Sequence, residues 1–269
     1  MVKSLFDKRS GSLKIMVTGS GKLDYYRHGG DSLQGRYHFY RLHPLMLQEL
    51  NPPDQETLTN LLRYGGFPEP FLAADDRQSR RWSREYRTRI IYDELTSLEQ
   101  VKDTSAIEAL TIRLPDLVAS PLSVDALRQD LRVAHETVQR WLAMIENLYM
   151  IFRIFPFGAP HIRAVKKEAK HYHFDWTLIS DPGRRFENFM ACQLLAYCHY
   201  RQDYEGEETE LRFFRDIDRR EVDFVLMKDQ QPTHFIECKT KNKSVNPALK
   251  YLLQRFSRHA VRSNRPGAS

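Results

Sequence analysis

The chain has 269 residues, of which 41% are hydrophobic and 12% aromatic, so it is long enough to bury one or two hydrophobic cores. Its 41 lysine and arginine residues outnumber its 35 aspartate and glutamate residues, which favours an acidic partner. No segment reaches the roughly 20 apolar residues that cross a bilayer, and no apolar signal core follows Met1, so a cytoplasmic protein without membrane contact is predicted. The three cysteines form no C-x-x-C pair and are predicted to be reduced.

The first segment, to about residue 50, contains an apolar strand pattern at 13–18 followed by a Gly-Ser-Gly-Lys run at 19–22. This run resembles the end of a phosphate-binding loop, G-x-x-x-x-G-K-[S/T], in which backbone N–H groups surround a phosphate and a hydroxyl binds magnesium. Met16 stands at the first glycine position and Leu23 at the hydroxyl position, and no other G-K-[S/T] occurs in the sequence. We therefore predict that this chain alone does not hydrolyse ATP.

The second segment, 58–119, is predicted to be helical with a break at the Gly-Gly-Phe-Pro-Glu-Pro run, 65–70. One helix is expected over 77–95, with Trp82, Tyr86 and Ile90 turned inward. This helix is rich in arginine. The arginines are either a solvated face or a surface for a polyanion, and the sequence leaves both interpretations open.

A helix-turn-helix is predicted in the third segment, 120–156. Ser123 is a suitable N-cap for the first helix, apolar residues mark a second helix after a tight turn, and a strand pattern at 149–155 follows as the entry to a wing. In such a module the second helix can enter the major groove of DNA, although the module also serves as a protein-binding unit. The predicted DNA-facing residues are His135, Thr137, Gln139 and Arg140.

A β-meander is predicted near the C-terminal end, where turn residues separate three strand-like runs, 211–215, 221–227 and 233–239. If the last hairpin is symmetric about Gln230, Val225 pairs with Phe235 and Asp223 pairs with Glu237. The Cβ atoms of directly opposed residues are about 5 Å apart. Two carboxylates at that spacing repel each other unless a cation lies between them.

This acidic hairpin therefore predicts a magnesium site with Asp223 and Glu237 as ligands. Lys239 follows on the same strand and is predicted to orient or activate a water molecule. Glu187, on a helical run, is a candidate third carboxylate. The alternative interpretation is that Asp223 is a charge at a strand edge, that Glu237 and Lys239 form an ordinary ion pair, and that Glu187 is solvated.

The Asp223 and Glu237-Cys238-Lys239 pattern on paired strands resembles the PD-(D/E)XK, restriction-endonuclease-like core. The resemblance implies that Asp223 and Glu237 bind magnesium, that Lys239 assists hydrolysis and that Glu187 is an added metal ligand. Val222 replaces the proline of that pattern, which is commonly exchanged.

Over residues 11–255 the chain is similar to a family of bacterial and archaeal AAA-type ATP-binding proteins with a C-terminal domain of unknown function. The matching motifs are Gly19-Ser20, Leu23-Asp24, 29–37, 40–44, 64–70, 186–188 and 220–224. The resemblance implies that Ser20 lies at the end of the sensor strand of the ATPase core and that Arg36 faces a phosphate. Both would act in ATP binding only if the missing N-terminal part were supplied.

The resemblance implies a multidomain α/β and α+β protein that has lost its N-terminal ATP site. The expected parts are the end of a P-loop ATPase core (1–50), a helical lid (51–119), a winged helix (120–160) and a PD-(D/E)XK nuclease-like domain (161–269). Three functions are considered: a truncated ATPase-family protein that handles nucleic acid or protein, a magnesium-dependent nuclease acting on DNA, and a non-catalytic nucleic-acid or partner-binding protein. Oligomerisation or a protein partner is compatible with each.

Overall fold

The computed structural model describes residues 16–19, 38–95, 104–158, 168–216, 218, 220–240, 244 and 246–260. Ser20, Arg36 and residues 13–15 of the predicted sensor strand lie outside these residues. The helices are α1 Gln55–Tyr64, α2 Pro68–Ala73, α3 Asp76–Arg89, α4 Thr104–Arg113, α5 Val124–Leu131, α6 His135–Asn147, α7 Pro182–Glu205 and α8 Pro247–Ala260. The strands are β1 Ile151–Pro156, β2 Lys170–His173, β3 Thr209–Arg215, β4 Glu221–Lys228 and β5 Gln231–Ile236.

The five strands form one sheet in the order β2-β1-β3-β4-β5. The β1–β3 pair is parallel and the other three pairs are antiparallel. The strand predicted to enter a wing is therefore also an inner strand of the sheet. The expected boundary at residue 160 falls between β1 and β2, which pair with each other, so the helical part and the sheet share this strand pair.

The predicted helix-turn-helix is confirmed as α5 and α6. The Ser123 Oγ accepts a hydrogen bond from the Ala126 N–H, and Arg132 ends α5 in a left-handed conformation (φ 55°). The buried stripe of α6 includes Val138, Trp141 and Ile145. These side chains pack in one core with residues of α4 and with the segment that follows α3.

The predicted arginine-rich helix is α3, and it continues from Ile90 to Leu95 in π-helical winding. Asp75 caps it by accepting a hydrogen bond from the Gln78 N–H. Ile90 is buried as expected, whereas Trp82 and Tyr86 are only half-buried and stack on each other at 4.9 Å. None of the described helices is long and apolar enough to cross a membrane.

The longest helix, α7, packs on β3, β2 and β4 and supplies much of the main core. Asp181 caps its start and Gly206 ends it with a positive φ of 72°. Its buried residues Phe189, Ala191 and Cys192 lie in one cluster with aromatic side chains of the sheet. Cys192 and Cys198 are free and buried, and Cys238 is free and half-buried.

The Gly65-Gly66 pair is required by the way the N-terminal segment meets the core. Gly65 has a positive φ of 89°, which favours glycine. A Cβ on Gly66 would lie 2.4 Å from the Trp176 ring and 2.8 Å from the Pro44 side chain. The Gly66 carbonyl also accepts a hydrogen bond from the Leu45 N–H at 2.7 Å. The run predicted to interrupt the helix is therefore also a place where the backbone packs closely against Trp176 and Pro44.

We expect Gly66→Ala to lower the free energy of unfolding by about 1–3 kcal/mol, because the added methyl group overpacks a fully buried ring. Urea unfolding measures this change. Gly183→Ala is the matched control, because its Cβ would approach only the Asp181 carboxylate, at 3.2 Å, and no ring or backbone atom. Equal stability of the two variants would contradict the packing argument.

Candidate functional site

The β4–β5 hairpin has the pairing that the sequence predicted near the acids. Val225 pairs with Phe235 and Phe224 with Ile236. Asp229 and Gln230 form the tight turn, both with positive φ. A register shift between Leu226 and Met227 then sets the pairing of the inner residues. The predicted symmetry about Gln230 is therefore correct for residues 224–226. For Met227 and Lys228, next to the turn, the pairing is displaced by one residue.

The structure brings Asp223 and Glu237 together where this hairpin opens. The last paired residues are Phe224 and Ile236, so the two acids occupy the next position on each arm of the hairpin. The Asp223 Oδ2 accepts a hydrogen bond from the Cys238 N–H at 2.8 Å. Burial raises the pKa of Asp223, the Cys238 N–H lowers it, and the Glu237 charge raises it again, with a net upward shift.

The Glu237 carboxylate is bound by two nearby residues, Lys239 and Asn246. Its side chain is 10% exposed and forms an ion pair with Lys239 through Oε1. Its Oε2 accepts a hydrogen bond from Asn246 Nδ2 at 2.9 Å. The hydrogen bond to Glu237 raises the pKa of Lys239, so this amine is a cation at neutral pH.

A second lysine, Lys170 of β2, lies within the acidic cluster, and its side chain is 1% exposed. Its Nζ is 2.6 Å from Glu221 Oε1 and 3.5 Å from Glu187 Oε1, and it lies 5.4 Å from the centre of the Phe213 ring. Burial lowers the pKa of Lys170, but the neighbouring carboxylates raise it by more. Lys170 is therefore a buried cation that neutralises acids from two other elements.

Glu187 reaches this cluster from α7. Its Oε1 accepts a hydrogen bond from the Tyr172 Oη at 2.8 Å. Burial raises the pKa of Glu187 to about 7, although Lys170 lowers it. Burial therefore favours the protonated form of Glu187, and a metal ion would have to displace that proton to bind there.

Sequence reasoning missed four members of this cluster: Lys170, Tyr172, Glu221 and Asn246. Glu221 could have been found, because it lies two residues before Asp223 on the same strand face. Lys170 and Tyr172 are also two residues apart, so they share one face of β2. Only the pairing of β2 with β1 places that face beside the acids. The cation that the sequence argument assigned to magnesium is thus supplied in part by lysines of the chain.

The described residues include no group of three or more histidine, cysteine, aspartate or glutamate side chains arranged to hold a metal ion. Magnesium needs only one or two carboxylates when waters and phosphate oxygens complete its coordination. Asp223 retains one carboxylate oxygen beyond its bond to Cys238. The donor set fits a single weakly held ion, and the magnesium site remains a prediction.

The predicted DNA-facing residues lie in the first two turns of α6. Gln139 and Arg140 are exposed, and His135 and Thr137 are half-buried. Val138 between them is buried and fixes which face of α6 is turned outward. The geometry is that of a helix-turn-helix with an accessible second helix, and DNA contact stays a prediction.

The fold and the site define a protein that joins a helix-turn-helix to a mixed sheet with a cluster of acids and lysines. Residues 55–181 match a domain of unknown function, DUF8612, and residues 182–266 match another, DUF4143. DUF4143 is a domain found in AAA-ATPase-associated proteins. The boundary between the two matches is the start of α7, so the predicted division at 160 lies inside the first match.

The chain is similar to an uncharacterized protein of Methanocaldococcus jannaschii, MJ1544, with 22% identity over 183 residues. The alignment covers 65% of this chain and 40% of the relative, so the chain spans less than half of the curated relative that it matches. No solved structure matches the chain.

Proposed function

We propose that this chain is a module of the AAA-type ATP-binding family that it resembles, and that its sheet domain binds and cleaves a phosphodiester with magnesium. The observation that carries the proposal is the placement of Asp223 and Glu237 side by side at the open end of one hairpin, with Lys239 bound to Glu237. The DUF4143 match supports the association with an ATPase. In this proposal the phosphate-binding loop is supplied from outside the 269 residues.

The residues have separate tasks in this proposal. Asp223, through its remaining oxygen, Glu237, and Glu187, once deprotonated, would hold the metal ion. A bound magnesium ion would polarise the phosphodiester. Lys239 is 41% exposed and its ammonium can reach a water molecule or a phosphate oxygen beside Glu237. Lys170 stays buried and limits the net negative charge, so the site accepts one divalent ion and a polyanion.

Cleavage of labelled single-stranded and duplex DNA with magnesium tests the proposal. We expect Asp223→Asn and Glu237→Gln each to lower the cleavage rate at least about 100-fold, because each removes a carboxylate from the metal site. Asp229→Asn is the matched control, because Asp229 is an exposed carboxylate in the turn at the far end of the same hairpin. Cleavage that survives both site changes would show that another site, or a contaminant, is responsible.

A second candidate function is the binding of a nucleic acid or a protein partner without catalysis. It is favoured by one observation: Lys170 already pairs with Glu221, and Lys239 and Asn246 already bind Glu237. In this case magnesium neither raises the melting temperature nor binds in calorimetry, and no cleavage is seen. Magnesium binding that disappears in Asp223→Asn supports the first function instead.

A further inference from the structure

The outward face of α3 carries an array of arginines that the acidic site does not use. The helix contains six arginines and only two acidic residues, Asp76 and Glu85, while the formal net charge of the whole chain is +6. Much of the excess positive charge of the protein is therefore on one helix of 14 residues. We propose that this face binds the phosphate backbone of a nucleic acid.

The helix separates its charged and packed faces. Ser79, Ser83 and Ile90 are buried toward the core. Arg77, Arg80 and Arg84 are exposed and lie three or four residues apart, so they follow one stripe beside the buried face. Successive turns of a helix are 5.4 Å apart, which spaces the guanidinium groups suitably for successive phosphates of a strand.

Neighbouring acids leave this stripe largely uncompensated. Asp76 is bound by Arg63 of α1 through two hydrogen bonds, of 2.8 and 2.5 Å. Glu85 pairs with Arg81 at 2.7 Å. In the described part of the chain, Arg81 is the one arginine of α3 with an acidic partner within ion-pair distance. Guanidinium groups without a carboxylate partner are the groups that bind phosphates bidentately.

Helix stability does not account for the array. Cations near the N-terminus of a helix oppose its dipole, and like charges three or four residues apart repel each other by a few tenths of a kcal/mol per pair. Arg77 and Arg80 lie in the first turns of α3 and have both disadvantages. A bound polyanion removes both, because each phosphate neutralises the guanidinium groups that face it.

The stripe leads to an open depression of about 340 Å³ at the C-terminal end of the helix. Arg84, Thr88, Arg89 and Tyr92 line it together with Glu85. The Tyr92 side chain is 42% exposed, and its hydroxyl donates a hydrogen bond to Glu108 of α4, which fixes the ring. Two guanidinium groups beside a fixed aromatic ring can bind a phosphate while the ring stacks on a base. A carboxylate or a lipid headgroup would contact the guanidinium groups but has no base to stack on the ring.

Fluorescence anisotropy with labelled DNA and RNA strands of about 20 nucleotides tests this binding, with EDTA present so that no metal-dependent cleavage occurs. We expect the combined variant Arg77→Gln, Arg80→Gln and Arg84→Gln to weaken binding about 10- to 100-fold at moderate salt. The slope of log affinity against log salt should become shallower by about 2–3, one unit for each lost phosphate contact.

The matched control removes the same charge elsewhere, by Lys228→Gln, Lys250→Gln and Arg255→Gln in the sheet domain, and should bind nearly as well as the wild type. Circular dichroism confirms that both variants fold. Wild-type affinity in the α3 variant, or an equal loss in the control, overturns the proposal. So does binding to vesicles of anionic lipid with no binding to nucleic acid. Because binding is measured with EDTA and does not require the metal site, failed cleavage leaves this result unaffected.

Discussion

Lys170→Met is expected to lower the free energy of unfolding by about 3–5 kcal/mol. The substitution keeps the apolar stem but removes a buried cation that lies 2.6 Å from Glu221 and 3.5 Å from Glu187. Both carboxylates would then be left without their main counter-charge in a region where the lysine side chain is 1% exposed. Urea unfolding followed by tryptophan fluorescence measures the loss.

Two further measurements separate the loss of charge from the loss of packing. Lys228→Met removes an ion pair of 2.7 Å with Glu207, but the lysine side chain is 43% exposed, so this control should change stability by less than about 1 kcal/mol. Adding Glu221→Gln to Lys170→Met should restore part of the stability, because it removes the stranded charge. If the double variant were no more stable than Lys170→Met, packing rather than charge would explain the effect.

The stability deficit of Lys170→Met should also depend on pH. Burial already raises the pKa of Glu187 to about 7 in the wild type, and loss of Lys170 raises it further. A carboxyl whose folded pKa lies above its unfolded value costs stability as the pH rises through that range. The deficit should therefore shrink between about pH 8 and about pH 6. A deficit that does not change with pH would contradict the buried-charge explanation.

Asn188→Ala is expected to lower the free energy of unfolding by about 2–4 kcal/mol, because it removes both amide hydrogen bonds to a buried edge of the sheet and leaves only the weak Cys192 thiol donor to the His173 carbonyl. Strand β2 is at the edge of the sheet, and Asn188 of α7 pairs with the backbone of His173 in place of another strand. The His173 N–H donates to Asn188 Oδ1 at 2.8 Å, and Asn188 Nδ2 donates to the His173 carbonyl at 2.6 Å. Neither residue is exposed to water.

Amide hydrogen exchange identifies the mechanism of this second loss. In Asn188→Ala the amide of His173 should exchange faster, whereas the Tyr172 amide, which lies within the β1–β2 pair, should change less. Asn188→Asp should not rescue stability, because a carboxylate can accept from the N–H but cannot donate to the carbonyl. Gln129→Ala, an exposed amide on α5, is the control and should be neutral within about 0.5 kcal/mol. Unchanged exchange at His173 would place the role of Asn188 elsewhere.

Local patterns predicted those parts of the fold that depend on neighbouring residues. Ser123 and the apolar stripe of α6 determine a helix-turn-helix within about 25 residues of chain, and its helices were found as expected. The hairpin register followed from a single turn, so the approach of Asp223 to Glu237 could be inferred without coordinates. Strand alternation placed Glu237 and Lys239 on one face of their strand but gave no information on side chains from other elements, such as Lys170 and Asn246.

The rest of the site depends on contacts between distant segments. Lys170 meets Glu221 across 51 positions of sequence only because β2, β1, β3 and β4 are neighbours in one sheet. Asn188 was part of a recognised Phe-Glu-Asn motif, yet its role as a partner for a strand edge required the position of α7. The parallel β1–β3 pairing was also not predicted, because a strand that follows a helix-turn-helix is usually assigned to a separate module.

The strand pair shared by the two parts also joins them mechanically. Just before α5, the Leu122 N–H donates to the Ala169 carbonyl at 2.9 Å, and Pro121 bridges to Lys170 itself. The backbone of residues 169 and 170 therefore ties the start of the helix-turn-helix directly to the strand that carries the buried ammonium of the acidic cluster.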